Sequence, residues 1–204
     1  MFLEIKNYCN HLVQNFDKIP AERKKLLKKL TDYIQKKTHN KEKSQLVFIC
    51  THNSRRSHFG QVWAAVAAAY FQIPDVLTFS GGTEATAFHP NAINALKKAG
   101  FKVEKESESN NPVYKVAFSE EGYLECFSKV YDDEANPKNN FAAIMTCSDA
   151  EENCPFIPGV ELRMPTTYND PKEFDNTPQQ AEKYTERSEQ IATELLYVFS
   201  KVKV

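Results

Sequence analysis

The stretch from Leu46 to Phe71 constrains this chain more than any other. Leu46 to Ile49 is an unbroken apolar run that reads as a buried strand. Eight residues follow, Cys50 to Ser57, too polar to stay in a core. Then comes an Ala-rich helix from Ser57 to Phe71 with Val62, Trp63, Val66 and Tyr70 on one side. The pattern repeats downstream. Val76 to Ser80 is a second strand closed by Gly81 and Gly82, His89-Pro90 opens a helix that stops at Gly100, and Phe141 to Thr146 and Val160 to Met164 are two further strands. Strands alternating with helices predict a three-layer α/β/α fold with a central parallel sheet of about four strands. Thr177 as N-cap, Pro178 in the first turn and Gln180 completing a capping box predict the start of a last helix, packed down by Ile191, Leu195 and Val198.

Two segments stand outside that rhythm. In residues 1–44, Phe2, Ile5, Cys9, Leu12 and Phe16 recur at helical spacing, and Pro20 opens a second helix carrying Leu26, Leu27, Leu30 and Ile34. This is read as a helical appendage to a domain spanning 45–204, with its paired lysines forming a solvated face. Between 111 and 133, Val113–Phe118 and Tyr123–Val130 are strand-like runs joined by Ser119 to Gly122, an inserted β-hairpin.

Composition narrows the function classes. A net charge of −1 gives no reason to expect nucleic acid, and no apolar run approaches the ~20 residues of a membrane span. The start, Met1 to Lys6, lacks the charged-then-apolar order of a secretory signal. Five cysteines are an odd number and a poor disulfide framework, so a reducing, cytoplasmic location is expected.

The polar loop carries the chemistry. Successive backbone N–H groups between a strand end and a helix start form an anion nest, reinforced by the helix dipole. A thiolate at Cys50 is stabilised by the same donors. Ser57 is positioned to bond the sulfur, and Arg56, six residues after Cys50, presents a planar fork to two oxygens of a tetrahedral anion. Thr51, His52, Asn53, Ser54 and Arg55 complete the expected oxyanion-binding loop.

With Cys50, Asn53, Arg56 and Ser57 on its motif positions, the stretch resembles the low-molecular-weight protein tyrosine phosphatase superfamily, which includes the thioredoxin-coupled arsenate reductases. The resemblance covers about residues 46–203. His52 stands where many members have Gly, and Arg55 where several have Cys or Gly. Asp170-Pro171 matches the family's Asp-Pro loop, which implies Asp170 as the general acid that protonates the departing oxygen. Cys147 follows a core strand and should emerge at the sheet edge where Cys50 lies. Cys147, six intervening residues, Cys154 and Pro155 match the reductases' redox segment. The resemblance implies a Cys50–Cys147 disulfide passed to Cys154 and then to thioredoxin by thiol–disulfide exchange. Were 147–154 one helix, its ends would lie about 10.5 Å apart along the axis, beyond the ~7 Å a disulfide tolerates, so the segment must unwind on oxidation. Neither a metal nor another cofactor is expected, since the Cys147/Cys154 spacing suits no zinc site. Two enzyme readings stay open: arsenate reduction, and phosphatase action on phosphotyrosine or small phosphoesters. A non-catalytic oxyanion-binding module is the third. Cys9 and Cys126 are read as structural.

Overall fold

The computed structural model describes residues 1–153 and 156–204. The chain begins with α1 (Leu3–Leu12), a 3-10 turn (Val13–Lys18) and α2 (Ala21–His39). It continues through β1 (Ser44–Cys50), α3 (Arg56–Tyr70), β2 (Val76–Gly82) and α4 (Pro90–Lys98). Three short strands follow, β3 (Lys102–Lys105), β4 (Tyr114–Ala117) and β5 (Tyr123–Cys126). The last stretch is β6 (Phe141–Met145), α5 (Ser148–Asn153), β7 (Val160–Pro165), a 3-10 turn (Pro171–Phe174) and α6 (Gln180–Ser200).

The main sheet has the order β2-β1-β6-β7, and every pairing is parallel. The two central strands, β1 and β6, carry near-continuous apolar runs because both their faces are covered. Along β1, Leu46 and Phe48 join a large cluster with Phe59, Val62 and Trp63 of α3, while Val47 and Ile49 join a smaller one with Phe141, Ala143, Met145 and Ala150. From β1 the chain crosses to β2 on one side, and later to β6 on the other. The carboxyl ends of β1 and β6 thus flank the point where strand order reverses, the place where open α/β sheets bind ligands. Cys50 ends β1 there.

The four-stranded parallel sheet flanked by helices is as expected; three details differ. The expected hairpin over 111–133 acquires a third strand, because β3 pairs antiparallel with β4, which pairs with β5. The alternation of Lys102, Glu104 and Lys105 with Val103 is too charged to announce a strand, and pairing along an exposed edge supplies what its apolar content does not. Second, α6 starts at Gln180 rather than just after Thr177. The preceding 3-10 turn takes the Thr177 hydroxyl, which donates to the Phe174 carbonyl at 2.7 Å, and the Gln180 side chain accepts from Asn176 N instead. Third, the apolar faces of α1 and α2 pack onto the main core. Ile5, Cys9, Leu12, Leu27, Leu30 and Ile34 are all buried in the cluster that holds α3 and α6.

Candidate active site

Cys50 is buried, and its sulfur lies 3.1 Å from the Ser57 hydroxyl on the first turn of α3. Asn53 holds the other side of the Ser57 hydroxyl. Its side-chain oxygen accepts from Lys129 N at 2.8 Å, so its amide nitrogen faces Ser57 and donates to that oxygen at 2.8 Å. The Ser57 oxygen thus sits between the Asn53 amide and the Cys50 sulfur. Asn53 has a φ of 42° and is fully buried; Asn tolerates this left-handed turn better than most residues.

The loop carbonyls are taken by neighbouring segments. Cys50 O accepts from Thr83 N and Thr51 O from Glu84 N. His52 O accepts from the hydroxyls of Thr86 and Ser128, and Ser54 O from His89 N. In a trans peptide the N–H points opposite to the C=O of the same peptide unit, so the amides of Thr51, His52, Asn53 and Arg55 each point away from the partner of the preceding carbonyl. The Ser54 hydroxyl donates to Ala87 O at 2.7 Å.

Gly82 makes this possible. It sits beside Cys50 in the β1–β2 register, and an added Cβ would lie 2.6 Å from Thr51 O and 2.7 Å from Asn53 N, besides striking Glu84 O. Only a glycine lets the end of β2 approach the loop so closely.

Arg56 opens α3 and turns toward the segment after β7. One guanidinium nitrogen donates to Tyr168 O at 2.8 Å, another to Asp170 Oδ2 at 2.5 Å, and its buried Nε has no partner among the described residues. Arg56 and Asp170, 114 residues apart, thus meet directly. Asp170 also accepts from Lys172 N at 3.0 Å through its other oxygen, which starts the 3-10 turn.

Cys147, also buried, follows β6. Its sulfur lies 3.4 Å from the Thr51 hydroxyl and accepts from Ala150 N at 3.4 Å, where α5 begins. Cys50 and Cys147 share the smaller apolar cluster. Cys154 lies outside the described residues. Cys9 and Cys126 are remote from this edge, and burial pushes each thiol up to about 12.

Arg55 behaves differently from the other loop side chains. Its guanidinium is committed to the Tyr184 hydroxyl at 2.6 Å and to Asp175 Oδ2 at 3.2 Å, so any share it takes in anion binding is through its backbone N–H. Tyr184 in turn donates to Asp175 at 2.7 Å, and Asn91 does so at 3.2 Å. Burial alone would raise the Asp175 carboxyl; the Tyr184 hydrogen bond and the Arg55 charge override it and hold the group below its usual range. The His52 ring is partly exposed, 3.7 Å from Glu84. Beside the loop lies a pocket of about 290 Å³ lined by His52, Ser54, Arg55, Phe88, His89 and Lys172, among others.

Ser128 and Lys129 escaped the sequence reading, since nothing local marks the inserted segment as a brace for the loop. The same is true of Tyr184 and Asp175. No group of three His, Cys, Asp or Glu side chains converges as a metal site among the described residues, and no helix among them is long and apolar enough to cross a membrane.

Fold and loop together define a three-layer α/β protein with a buried cysteine at the reversal point of a parallel sheet. No family model matches the chain. Arsenate reductase 2 of Staphylococcus epidermidis is 26% identical over 131 residues, 64% of this chain and 80% of that protein. Among solved structures, a YwlE mutant from Bacillus subtilis superposes with a TM-score of 0.53 at 14% identity, covering 77% of this chain and 97% of that one. A low-molecular-weight phosphotyrosine phosphatase from Vibrio cholerae O395 gives 0.50 at 12% identity, covering 77% and 94%. The chain is thus similar in sequence to curated arsenate reductases and shares the fold of a solved low-molecular-weight phosphotyrosine phosphatase.

Proposed function

We propose that this enzyme is a thioredoxin-coupled arsenate reductase in which Cys50 is the nucleophile. The observation that carries this reading is the second thiol: Cys147 reaches the residue next to Cys50 and shares its buried cluster. A phosphatase that hydrolyses a phosphoenzyme with water has no use for a thiol there.

The chemistry follows from the partners already described. Arsenate enters the loop and takes the Arg56 fork in competition with Asp170, a bidentate match of guanidinium to oxyanion. Asp170, beside Arg56, is the carboxyl group that delivers the proton. The Cys50 thiolate attacks arsenic, one As–O bond breaks, and that oxygen leaves as water with the Asp170 proton. Amides of residues 51–57 and Arg56 stabilise the charge on the remaining oxygens. The Cys147 thiolate then attacks the Cys50 sulfur. A Cys50–Cys147 bond forms, the S–As bond breaks, and its electron pair stays on arsenic, which leaves as arsenite. Two thiols have been oxidised and arsenic reduced by two electrons. Cys154 next attacks Cys147, freeing Cys50, and thioredoxin reduces the resulting disulfide. Phe156 stands 76% exposed beside that segment, an apolar contact for a protein reductant.

The boundary at residues 44 and 45 belongs to the same proposal, as the point where the part shared with relatives begins and residues 1–44 are an addition packed onto it: the solved structures that share the fold cover about three quarters of the chain and nearly all of themselves. A reducing cytoplasm is the compartment this chemistry needs.

Phosphatase action on an aryl or small phosphoester is the second reading. The pocket lined by His52, Phe88 and Lys172 favours it, because arsenate has no organic group to place there. One pair of assays separates the two. With arsenate, thioredoxin, thioredoxin reductase and NADPH, cofactor oxidation is expected, and it should vanish in Cys147→Ser and Cys154→Ser. Hydrolysis of p-nitrophenyl phosphate that is indifferent to both substitutions, with no arsenate-dependent oxidation, overturns the reductase.

A further inference from the structure

The fork of Arg56 is held by a carbonyl, and that carbonyl belongs to a residue gripped from the amino-terminal helices. Tyr168 O accepts from Arg56 at 2.8 Å. The Tyr168 backbone N–H donates to Thr146 O at 3.1 Å, tying it to the end of β6. Its hydroxyl donates to Glu194 Oε2 at 2.7 Å on α6. Glu194, 4% exposed, receives three contacts of 2.9 to 3.0 Å from the Arg23 guanidinium, which also lies 4.8 Å over the Tyr168 ring. Arg23 belongs to α2.

We propose that Arg23, through Glu194 and Tyr168, is a positioning residue for the oxyanion arginine, so that the amino-terminal helices form part of the active-site framework. The inference rests on the anion-binding role proposed for Arg56. Each link has a reason to be rigid. The Arg23–Glu194 contact is a planar fork on a planar carboxylate, in a site where a lone charge is costly. Burial, then the Glu194 charge, keeps Tyr168 neutral and therefore a donor. The ring is fixed at its face by Arg23 and at its tip by Glu194, so the backbone it anchors has little freedom. With its carbonyl fixed, one Arg56 nitrogen is fixed too, and the rest of the planar group follows because the guanidinium is rigid. Nothing in the Cys50 loop does this work; the loop holds only the Arg56 backbone.

Two variants test the idea on the full chain. Tyr168→Phe removes one oxygen and leaves the ring beneath Arg23. Arg23→Lys keeps the charge and loses the fork. Dissociation constants for inorganic arsenate and phosphate are read by titration calorimetry, KM and kcat by the coupled assay, and folding by thermal midpoint. Both variants are expected to bind oxyanion about threefold to thirtyfold more weakly, the size of coupling through a packed network. KM should rise in step, with kcat changing less. Oxyanion affinity that stays at the wild-type value in a folded Tyr168→Phe protein overturns the proposal and leaves the reductase reading intact. If wild type binds oxyanion without reducing arsenate, the reductase reading fails while weaker binding in the variants still supports the positioning role. A wild type that binds neither anion overturns both.

Discussion

At the scale of single residues, a thiol's behaviour here depends on hydrogen bonds two steps away. Cys50 is bonded by Ser57, Ser57 by Asn53, and Asn53 by the backbone of Lys129 in the inserted segment. The motif and its spacing were legible in the chain; the brace from residue 129 was not, because no local pattern links positions 76 residues apart. Asp170→Asn keeps an acceptor for Arg56 but cannot deliver a proton. Its kcat is expected to fall by roughly 10²- to 10⁴-fold, and single-turnover kinetics with arsenate would read it directly; a fall below threefold would remove Asp170 as the acid. His58 gives a second residue-level test. It is fully buried, stacks on Phe88, and is pushed down to about 3 by burial and then by the Lys129 charge. A histidine that refuses a proton only when folded contributes stability in full above the unfolded value near 6.5. That contribution is lost progressively as pH falls toward about 3. His58→Gln should therefore flatten the loss of stability between pH 6.5 and 4, read as urea midpoints across that window. Parallel curves for both proteins would remove His58 as the cause.

At the scale of elements, the loop is shaped as much by the end of β2 as by its own residues. Because Gly82 lies against Thr51 O and Asn53 N, Gly82→Ala must push the loop backbone outward. The expected result is a folded protein whose stability falls by about 1–3 kcal/mol, typical of overpacking, with oxyanion affinity lost out of proportion; equal affinity in a calorimetric titration would show that the loop can give way. The turn after Asp170 is pinned in a similar way by Asp175, which is bonded to Arg55 and Tyr184. Its carboxyl is held below the usual range, so its contribution is present above about pH 4 and disappears as pH falls through the folded value. Asp175→Asn should cost about 1–3 kcal/mol at pH 7, and the gap to wild type should narrow on acidification. The β1–loop–α3 unit and most element boundaries were readable from periodicity. The start of α6 was not, since Thr177 could cap a helix or close a 3-10 turn, and only the packing of residues 171–174 chose between them.

At the scale of the whole molecule, the amino-terminal helices are the least expected participants. Most of their paired lysines form the expected solvated face, Lys37 excepted, while on the apolar faces Ile5, Leu12, Leu27, Leu30 and Ile34 are all at most 2% exposed in the main cluster. Five such side chains at roughly 1.5–3 kcal/mol each amount to as much as a typical domain's entire stability. Deleting residues 1–39 is thus expected to abolish cooperative unfolding, as followed by circular dichroism on heating; a truncated chain that melts sharply would mean the core closes without them. Their amphipathic spacing predicted helices correctly. It could not say that α2 would bring Arg23 to Glu194, 171 residues away.

That contrast runs through the molecule. Whatever depends on neighbours within about eight residues could be read directly: the strand leading to Cys50, the polar loop, the helix after it, and the reach from Cys50 to Ser57 and Arg56. Short-range backbone geometry follows from residue type and spacing, so it survives in a linear reading. The meeting of Arg56 with Asp170, the diversion of the Arg55 guanidinium to Tyr184 and Asp175, and the grip of Arg23 on Glu194 each join elements that only packing brings together. Such partners are chosen by the burial of whole helices and the exclusion of water between them, a balance summed over the entire core that no single stretch of chain contains.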